Sequence, residues 1–118
     1  MEVTKSVTFE AAHRLPLVPV GHKCGRLHGH SYRVELTVSG PVGADGFVVD
    51  YQDIADAWQP LHDLLDHYYL NDVPGLDNPT TEVLAVWIWE RMKPPLPGLS
   101  RVAIQETCTE RCVYRGQE

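Results

Sequence analysis

The chain has 118 residues, of which 43% are hydrophobic and 22% charged, and its formal net charge is -6 at pH 7. This length predicts a single domain over residues 1–118 with a sizeable hydrophobic core. No apolar run approaches the ~20 residues that a membrane span needs, and the acidic balance argues against nucleic acid as a partner.

The N-terminal segment is predicted to be the first strand, over residues 2–15. It carries Glu2, Lys5 and Glu10 without an apolar core, so we expect no signal peptide and a cytoplasmic protein. Successive side chains of a strand point to opposite faces, which places His13 on the apolar side with Phe9.

Residues 15–25 contain prolines and glycines and are predicted as a loop that leads to Cys24. Residues 1–40 hold five Lys or Arg against three acids, whereas the remaining 78 residues hold five against thirteen. This basic third favours a small anionic ligand, although charged residues on a solvated strand face are the alternative. The neighbours Lys23 and Arg26 favour an accessible, reactive Cys24 thiol, and an inert packing cysteine is the alternative.

A second predicted strand starts at His28 and alternates cleanly to residue 39. His28 and His30 share its apolar face, so pairing with the first strand brings three histidines together on a half-buried surface. Burying three unpartnered imidazoles is costly, whereas zinc binds neutral imidazole well. The pattern therefore predicts zinc on His13, His28 and His30. The alternative is an ordinary core histidine that is hydrogen-bonded and binds no metal.

After a turn at residues 40–46, residues 47–49 are predicted as a short strand or the end of a hairpin, and residues 52–68 as a helix. Asp50 is the expected cap of this helix, and Pro60 is expected to kink or restart it. A second helix is predicted to begin with Asn78 as its N-cap and Pro79 as its first residue.

Two last strands are predicted over residues 100–107 and 111–114. The element order gives an α+β domain: a four-stranded, mostly antiparallel sheet with both helices on one face.

Glu106 and the pair Asp66 and His67 stand out from this pattern. Glu106 falls on the apolar face of its strand, so its carboxylate needs a partner. The partner is either an arginine, Arg101 or Arg111, or a ligand with two N–H donors. Asp66 and His67 come at the end of the first helix, where they are either a proton-carrying pair or simple capping residues.

Five segments carry a resemblance to a known family over nearly the whole length: FEAAHRL, CGRLHGHSY, LDHYYLND, NPTTEVLAVWIW and ETCTERCVYRG. The chain resembles the 6-pyruvoyltetrahydropterin synthase family, and within it the bacterial branch that forms a 6-carboxy product. The resemblance implies a tunnelling fold (T-fold), two stacked trimers forming a homohexamer, and active sites between subunits.

The resemblance also implies site residues. These are zinc on His13, His28 and His30, Cys24 as catalytic base, Asp66 and His67 as a proton relay, Glu106 as the pterin anchor, Thr107 and Thr81 as further pterin contacts, and Lys23, Arg26 and His22 as candidates for binding triphosphate.

The implied reaction is a carbon–carbon lyase reaction. It converts 7,8-dihydroneopterin triphosphate to 6-carboxy-5,6,7,8-tetrahydropterin with release of acetaldehyde and triphosphate, on the route to 7-deazaguanine and queuosine. A pyruvoyl-forming or side-chain-cleaving pterin activity is the alternative, and a non-catalytic metal-binding assembly module is a remote one.

Overall fold

The computed structural model describes residues 1–117 and forms one antiparallel sheet in the order β1-β2-β3-β4. The strands are β1 (Glu2–His13), β2 (His28–Ser39), β3 (Leu99–Thr107) and β4 (Glu110–Tyr114). The helices are α1 (Tyr51–Leu65) and α2 (Thr81–Met92), and short 3-10 turns cover Lys23–Gly25 and Leu70–Asp72. The predicted α+β class, with a four-stranded sheet and two helices, is confirmed.

Both helices pack against the apolar side of the sheet, α1 on β1 and α2 on β3 and β4. Alternate strand residues are fully buried there, as the period of two predicts; they are Phe9, Tyr32, Val34, Leu36, Val102 and Ile104. Among residues 1–117, no helix is long and apolar enough to cross a membrane.

Helix α1 begins as predicted, because the Asp50 carboxylate accepts a hydrogen bond from the Gln52 N–H at 2.8 Å. We expected Pro60 to kink or to restart the helix. The restart is wrong, since α1 is continuous from Tyr51 to Leu65. Pro60 lies on the exposed side of the helix, where water can satisfy the carbonyl that the missing N–H leaves free. The helix also ends earlier than the predicted residue 68.

Two further boundaries differ from the prediction. The N-cap of α2 is Thr80, whose hydroxyl accepts from the Val83 N–H at 3.1 Å, and not Asn78. Residues 47–49 form bends instead of a strand. The backbone of Phe47 is engaged by its own turn, because its N–H donates to Asp45 and its carbonyl accepts from Gly43.

The strand register fixes where the histidines lie. In the antiparallel β1–β2 pair His13 is opposite His28, and Ala11 is opposite His30. The β3–β4 pairing shifts between Gln105 and Thr107, so Glu106 lies at a β-bulge. Bulges redirect a side chain and often flank active sites, and here the bulge is beside the histidines.

Candidate active site

Three imidazole rings converge at the end of the β1–β2 hairpin, as the strand parity predicted. The ring centroids of His13, His28 and His30 are 4.5, 5.1 and 4.9 Å apart. His13 is 1% exposed, and burial lowers its pKa, although the Pro79 carbonyl and the Glu106 charge act in the opposite direction. His13 is therefore held neutral, which is the form that binds metals.

The outer nitrogens of two rings are already used by backbone carbonyls. His13 Nδ1 lies 2.9 Å from the Pro79 carbonyl and His28 Nδ1 lies 2.6 Å from the Arg26 carbonyl. A carbonyl only accepts, so each neutral ring carries its proton on Nδ1 and has a lone pair on Nε2. These two Nε2 atoms are only 2.9 Å apart, so two lone pairs facing each other there would be relieved by a proton or a metal ion between them.

The third ring supports the same reading. His30 Nε2 is buried and makes no hydrogen bond, which is costly for an unpartnered polar atom. Three converging imidazoles that present Nε2 are a donor set that zinc binds well. Together with Glu106, the three histidines offer ligand atoms that lie within 4.8 Å of one another. A metal ion fits these residues.

Glu106 lies against the histidines and not against an arginine. Its Oε1 is 2.8 Å from His30 Nε2 and 3.8 Å from His13 Nε2. The arginine alternative is wrong, because Arg101 and Arg111 both pair with Glu35, at 3.3 and 3.6 Å.

A cavity of about 330 Å³ opens beside the cluster, and we call it the histidine cavity. Its lining is Lys23, Cys24, His28, His30, Glu106, Thr107 and Glu110. Cys24 lines this cavity from the 3-10 turn Lys23–Gly25. Two hydrogen bonds hold the turn in place, because the Cys24 N–H donates to the His22 ring and the Cys24 carbonyl accepts from the Leu15 N–H. The cavity thus combines a half-buried thiol, a cation and the cluster.

A second cavity, of about 430 Å³, continues on the other side of Glu106 towards α2. We call it the helix-side cavity, and it is lined by Thr81, Glu82, Ile104, Glu106, Glu110, Arg111 and Cys112. Thr81 therefore lies near Glu106 but outside the histidine cavity.

The three triphosphate candidates are not together. Only Lys23 lines the histidine cavity, whereas His22 and Arg26 line a separate cavity of about 330 Å³ in the β1–β2 connection, with Arg14.

Asp66 and His67 do not line the histidine cavity. They lie along the free edge of β1, where Asp66 accepts from the Glu10 N–H at 2.8 Å and from His67 Nδ1 at 2.7 Å. The Glu10 N–H, followed by the His67 ring, holds the pKa of Asp66 below its usual value. The expected position in the last turn of a helix is wrong, because α1 ends at Leu65 and His67 has a φ of 61°.

Sequence reasoning missed two groups that position His13. The Pro79 carbonyl is a backbone atom, so no residue type signals it. Tyr32 shares the strand face of the histidines, and its hydroxyl lies 3.2 Å from His13 Nδ1. Burial raises the pKa of Tyr32, so the phenol keeps its proton. The parity could have identified Tyr32, since it follows His30 on the same face.

Known proteins resemble this chain over nearly its full length. The family model for 6-pyruvoyl tetrahydropterin synthase matches residues 2–117. A 6-carboxy-5,6,7,8-tetrahydropterin synthase of Synechocystis is 41% identical, covering 95% of this chain and 91% of the relative. A dihydroneopterin monophosphate aldolase of Pyrococcus furiosus is 35% identical, covering 84% and 83%. The solved 6-pyruvoyl tetrahydropterin synthase of Caenorhabditis elegans superimposes with a TM-score of 0.90 at 25% identity, covering 99% and 96%.

Proposed function

Because the chain belongs to the 6-pyruvoyl tetrahydropterin synthase family, we propose that it converts 7,8-dihydroneopterin triphosphate to 6-carboxy-5,6,7,8-tetrahydropterin, releasing acetaldehyde and triphosphate. The chain is a pterin-processing lyase of the T-fold class, which sets aside a purely structural metal-binding module. The relative from Synechocystis carries the name of this activity. The product would supply the route to 7-deazaguanine and queuosine.

The observation that carries the proposal is the convergence of His13, His28 and His30, two of which, His28 and His30, line one cavity with Cys24. The lone pairs on their Nε2 atoms would hold zinc. When bound, zinc acts as a Lewis acid that makes side-chain hydroxyls of a substrate more acidic. Tyr32 and the Pro79 carbonyl hold the His13 ring in the tautomer that presents Nε2.

The remaining residues would bind the substrate and move protons. Glu106 accepts from adjacent N–H donors of the pterin ring, and Thr107 and Thr81 lie on either side of it in the two cavities. Cys24 takes up a proton from the substrate side chain as thiolate and returns it as thiol. Lys23 meets the negative triphosphate, and Arg26 and His22 contribute only if the substrate extends towards their separate cavity.

Asp66 and His67 would complete the site from another copy of the chain. Asp66 fixes the His67 ring through Nδ1 at 2.7 Å, which leaves Nε2 free to carry a proton. Since this pair lies at the edge of β1 and outside its own chain's histidine cavity, it supports a homo-oligomer with sites between subunits, which we propose is a hexamer of two stacked trimers. The free thiols of Cys24 and Cys108 suit a reducing compartment such as the cytoplasm.

Product analysis tests the reaction directly. Purified, zinc-loaded protein is incubated with 7,8-dihydroneopterin triphosphate, and the products are identified by mass. We expect the 6-carboxy pterin, acetaldehyde and triphosphate, with no turnover after the metal is removed by a chelator. A 6-pyruvoyl product, or a pterin whose side chain is cleaved at another bond, would overturn the proposal.

The second candidate is this side-chain cleavage. It is favoured by the aldolase relative, which is 35% identical over most of both chains. The same product analysis separates the two activities.

A further inference from the structure

Glu106 is placed where two different ligands compete for one carboxylate. It lines both the histidine cavity and the helix-side cavity, and the β-bulge between Gln105 and Thr107 aims it at the histidines. Its proposed role as a pterin anchor requires its carboxylate to be free to accept from the N–H donors of the ring. In the structure, however, its Oε1 atom lies among the histidine nitrogens.

The contact between Glu106 and His30 is not a hydrogen bond. Oε1 lies 2.8 Å from His30 Nε2, yet that nitrogen is buried and has no hydrogen-bond partner. The two atoms are therefore close without one donating to the other. Ligand atoms around a bound metal ion have this relation.

The donor atoms lie close enough together to share one ion. Four ligands at 2.0–2.2 Å around a tetrahedral zinc lie roughly 3.3–3.6 Å from one another. Here the separations are 2.9 Å between His13 and His28, 2.8 Å from Glu106 to His30 and 3.8 Å from Glu106 to His13. Two of these separations are shorter than the tetrahedral spacing and one is longer, and all four ligand atoms lie within 4.8 Å of one another, so small shifts would bring them around one ion.

We infer that Glu106 is the fourth metal ligand while the pterin site is empty, and that it leaves the metal when it binds a pterin ring. This inference rests on the proposed metal at the three histidines. A metal ion with four protein ligands has no coordination position left for a substrate, whereas catalysis needs one. By binding Glu106, the pterin ring would therefore vacate a coordination position on the metal. The metal would then become reactive only when the ring is in place.

This exchange predicts that metal and pterin weaken each other's binding. If both require the same carboxylate, each lowers the affinity of the other by the same factor. The suitable probe is 6,7-dimethylpterin, because it has the ring donors but no side-chain hydroxyls that could bind the metal directly. A substrate with such hydroxyls would add its own metal contacts and hide the effect.

The test measures zinc affinity of the full chain by competition with a chromogenic chelator. We expect Glu106→Gln to lower it by about 10–100-fold, the size of effect seen when groups supporting a metal site are changed. Saturating 6,7-dimethylpterin should lower the zinc affinity of the unchanged protein by at least about tenfold and leave Glu106→Gln unaffected. Glu110→Gln is the matched control, since it removes a charge from the same two cavities and should change zinc affinity less than about threefold.

The outcomes are distinguishable. If zinc binds to the three histidines but neither Glu106→Gln nor 6,7-dimethylpterin changes its affinity, Glu106 is not a ligand and the inference fails, while the proposed function stands. If the unchanged protein binds no zinc, the metal of the proposed function fails with it. The comparison with and without pterin uses the unchanged protein, so it remains decisive even if Glu106→Gln does not fold.

Discussion

Two histidine-containing clusters within the described residues 1–117 differ in how much of a binding site each forms within a single chain. The rings of His13, His28 and His30 converge within one chain, and His13 is 1% exposed. The pair Asp66 and His67 lies on the sheet edge, where the His67 side chain is 77% exposed. The first cluster has all its candidate ligand atoms within one chain, whereas the second lies outside the histidine cavity.

The difference teaches which part of the site a single chain can build. Strand pairing holds the first cluster, so it is fixed once β1 and β2 have their register. The second is held to β1 by two hydrogen bonds with the Glu10 backbone, and a third hydrogen bond joins Asp66 to His67. β1 is an edge strand, and unpaired strand edges are surfaces on which further chains pack. A second copy is the simplest partner for an exposed acid–imidazole pair at such an edge.

The largest expected effect comes from breaking the buried cluster. His28→Ala removes a ligand whose ring is fixed by the Arg26 carbonyl, so metal affinity should fall by more than about 100-fold, since even supporting groups cost 10–100-fold. Turnover of 7,8-dihydroneopterin triphosphate should fall to background. Metal content after desalting and product formation measure both.

His62→Ala is the matched control for this change. His62 lies on α1 outside the cluster, and its ring lies 3.9 Å from the carboxylates of Asp63 and Asp66. It should keep full metal content. If His28→Ala retained its metal as well, the three-histidine site would be wrong.

The next effect distinguishes the two clusters by mixing chains. Cys24→Ala and His67→Ala should each reduce turnover by about 10²–10⁴-fold, as loss of a proton-transfer group does, with metal content unchanged. Co-expressing the two variants with different tags and purifying assemblies that contain both should restore up to about a quarter of full activity, because a random pairing unites an intact thiol with an intact imidazole in one of four combinations.

Complementation is the informative result here. If Cys24 and His67 worked within one chain, no mixed assembly would contain an intact site, and activity would stay at the level of the single variants.

The sequence predicted the first cluster better than the second for a physical reason. Alternation along β1 and β2 is set by the pleat, so the parity of His13, His28 and His30 followed directly from the residue order. Glu106 was recognised as misplaced for the same reason. Its true neighbour was not predicted, because a bulge redirects it and the two candidate arginines are taken by Glu35.

Loops and helix ends were predicted less well. Asn78 and Thr80 both have side chains that can cap a helix, and only packing decides that Thr80 does so while Pro79 turns its carbonyl to His13. Likewise, nothing in the order Asp66-His67 shows that the chain leaves α1 in an extended conformation and then takes a positive φ. The assembly that would unite the two clusters is implied by resemblance and not by any residue pattern.

A smaller effect should come from Tyr32, which supports the buried cluster without being a ligand. Its hydroxyl is 3.2 Å from His13 Nδ1, and its ring stacks on Phe9 at 4.8 Å. Tyr32→Phe keeps the stacking and removes the hydroxyl, so zinc affinity should fall by about tenfold with little change in melting temperature. Tyr51→Phe, at the exposed start of α1, is the control, and equal zinc affinity in both variants would show that the hydroxyl has no part in holding His13.

The smallest effect concerns the pH dependence of the edge pair. The pKa of Asp66 is lowered from 3.8, chiefly by the Glu10 N–H and then by His67, so between the two pKa values the unfolded chain binds more protons than the folded one. The contact therefore adds stability above about pH 4 and loses it as the pH falls through the folded pKa. Asp66→Asn should melt slightly below the unchanged protein at pH 7, and the difference should shrink as the pH falls below about 4. The measurement is a melting curve at each pH on metal-free protein, which keeps metal release out of the comparison. Asp63→Asn, an exposed carboxylate near the end of α1, should show no such pH-dependent gap, and a gap that stays constant from pH 7 to pH 3 would mean that the charge of Asp66 does not hold the pair in place.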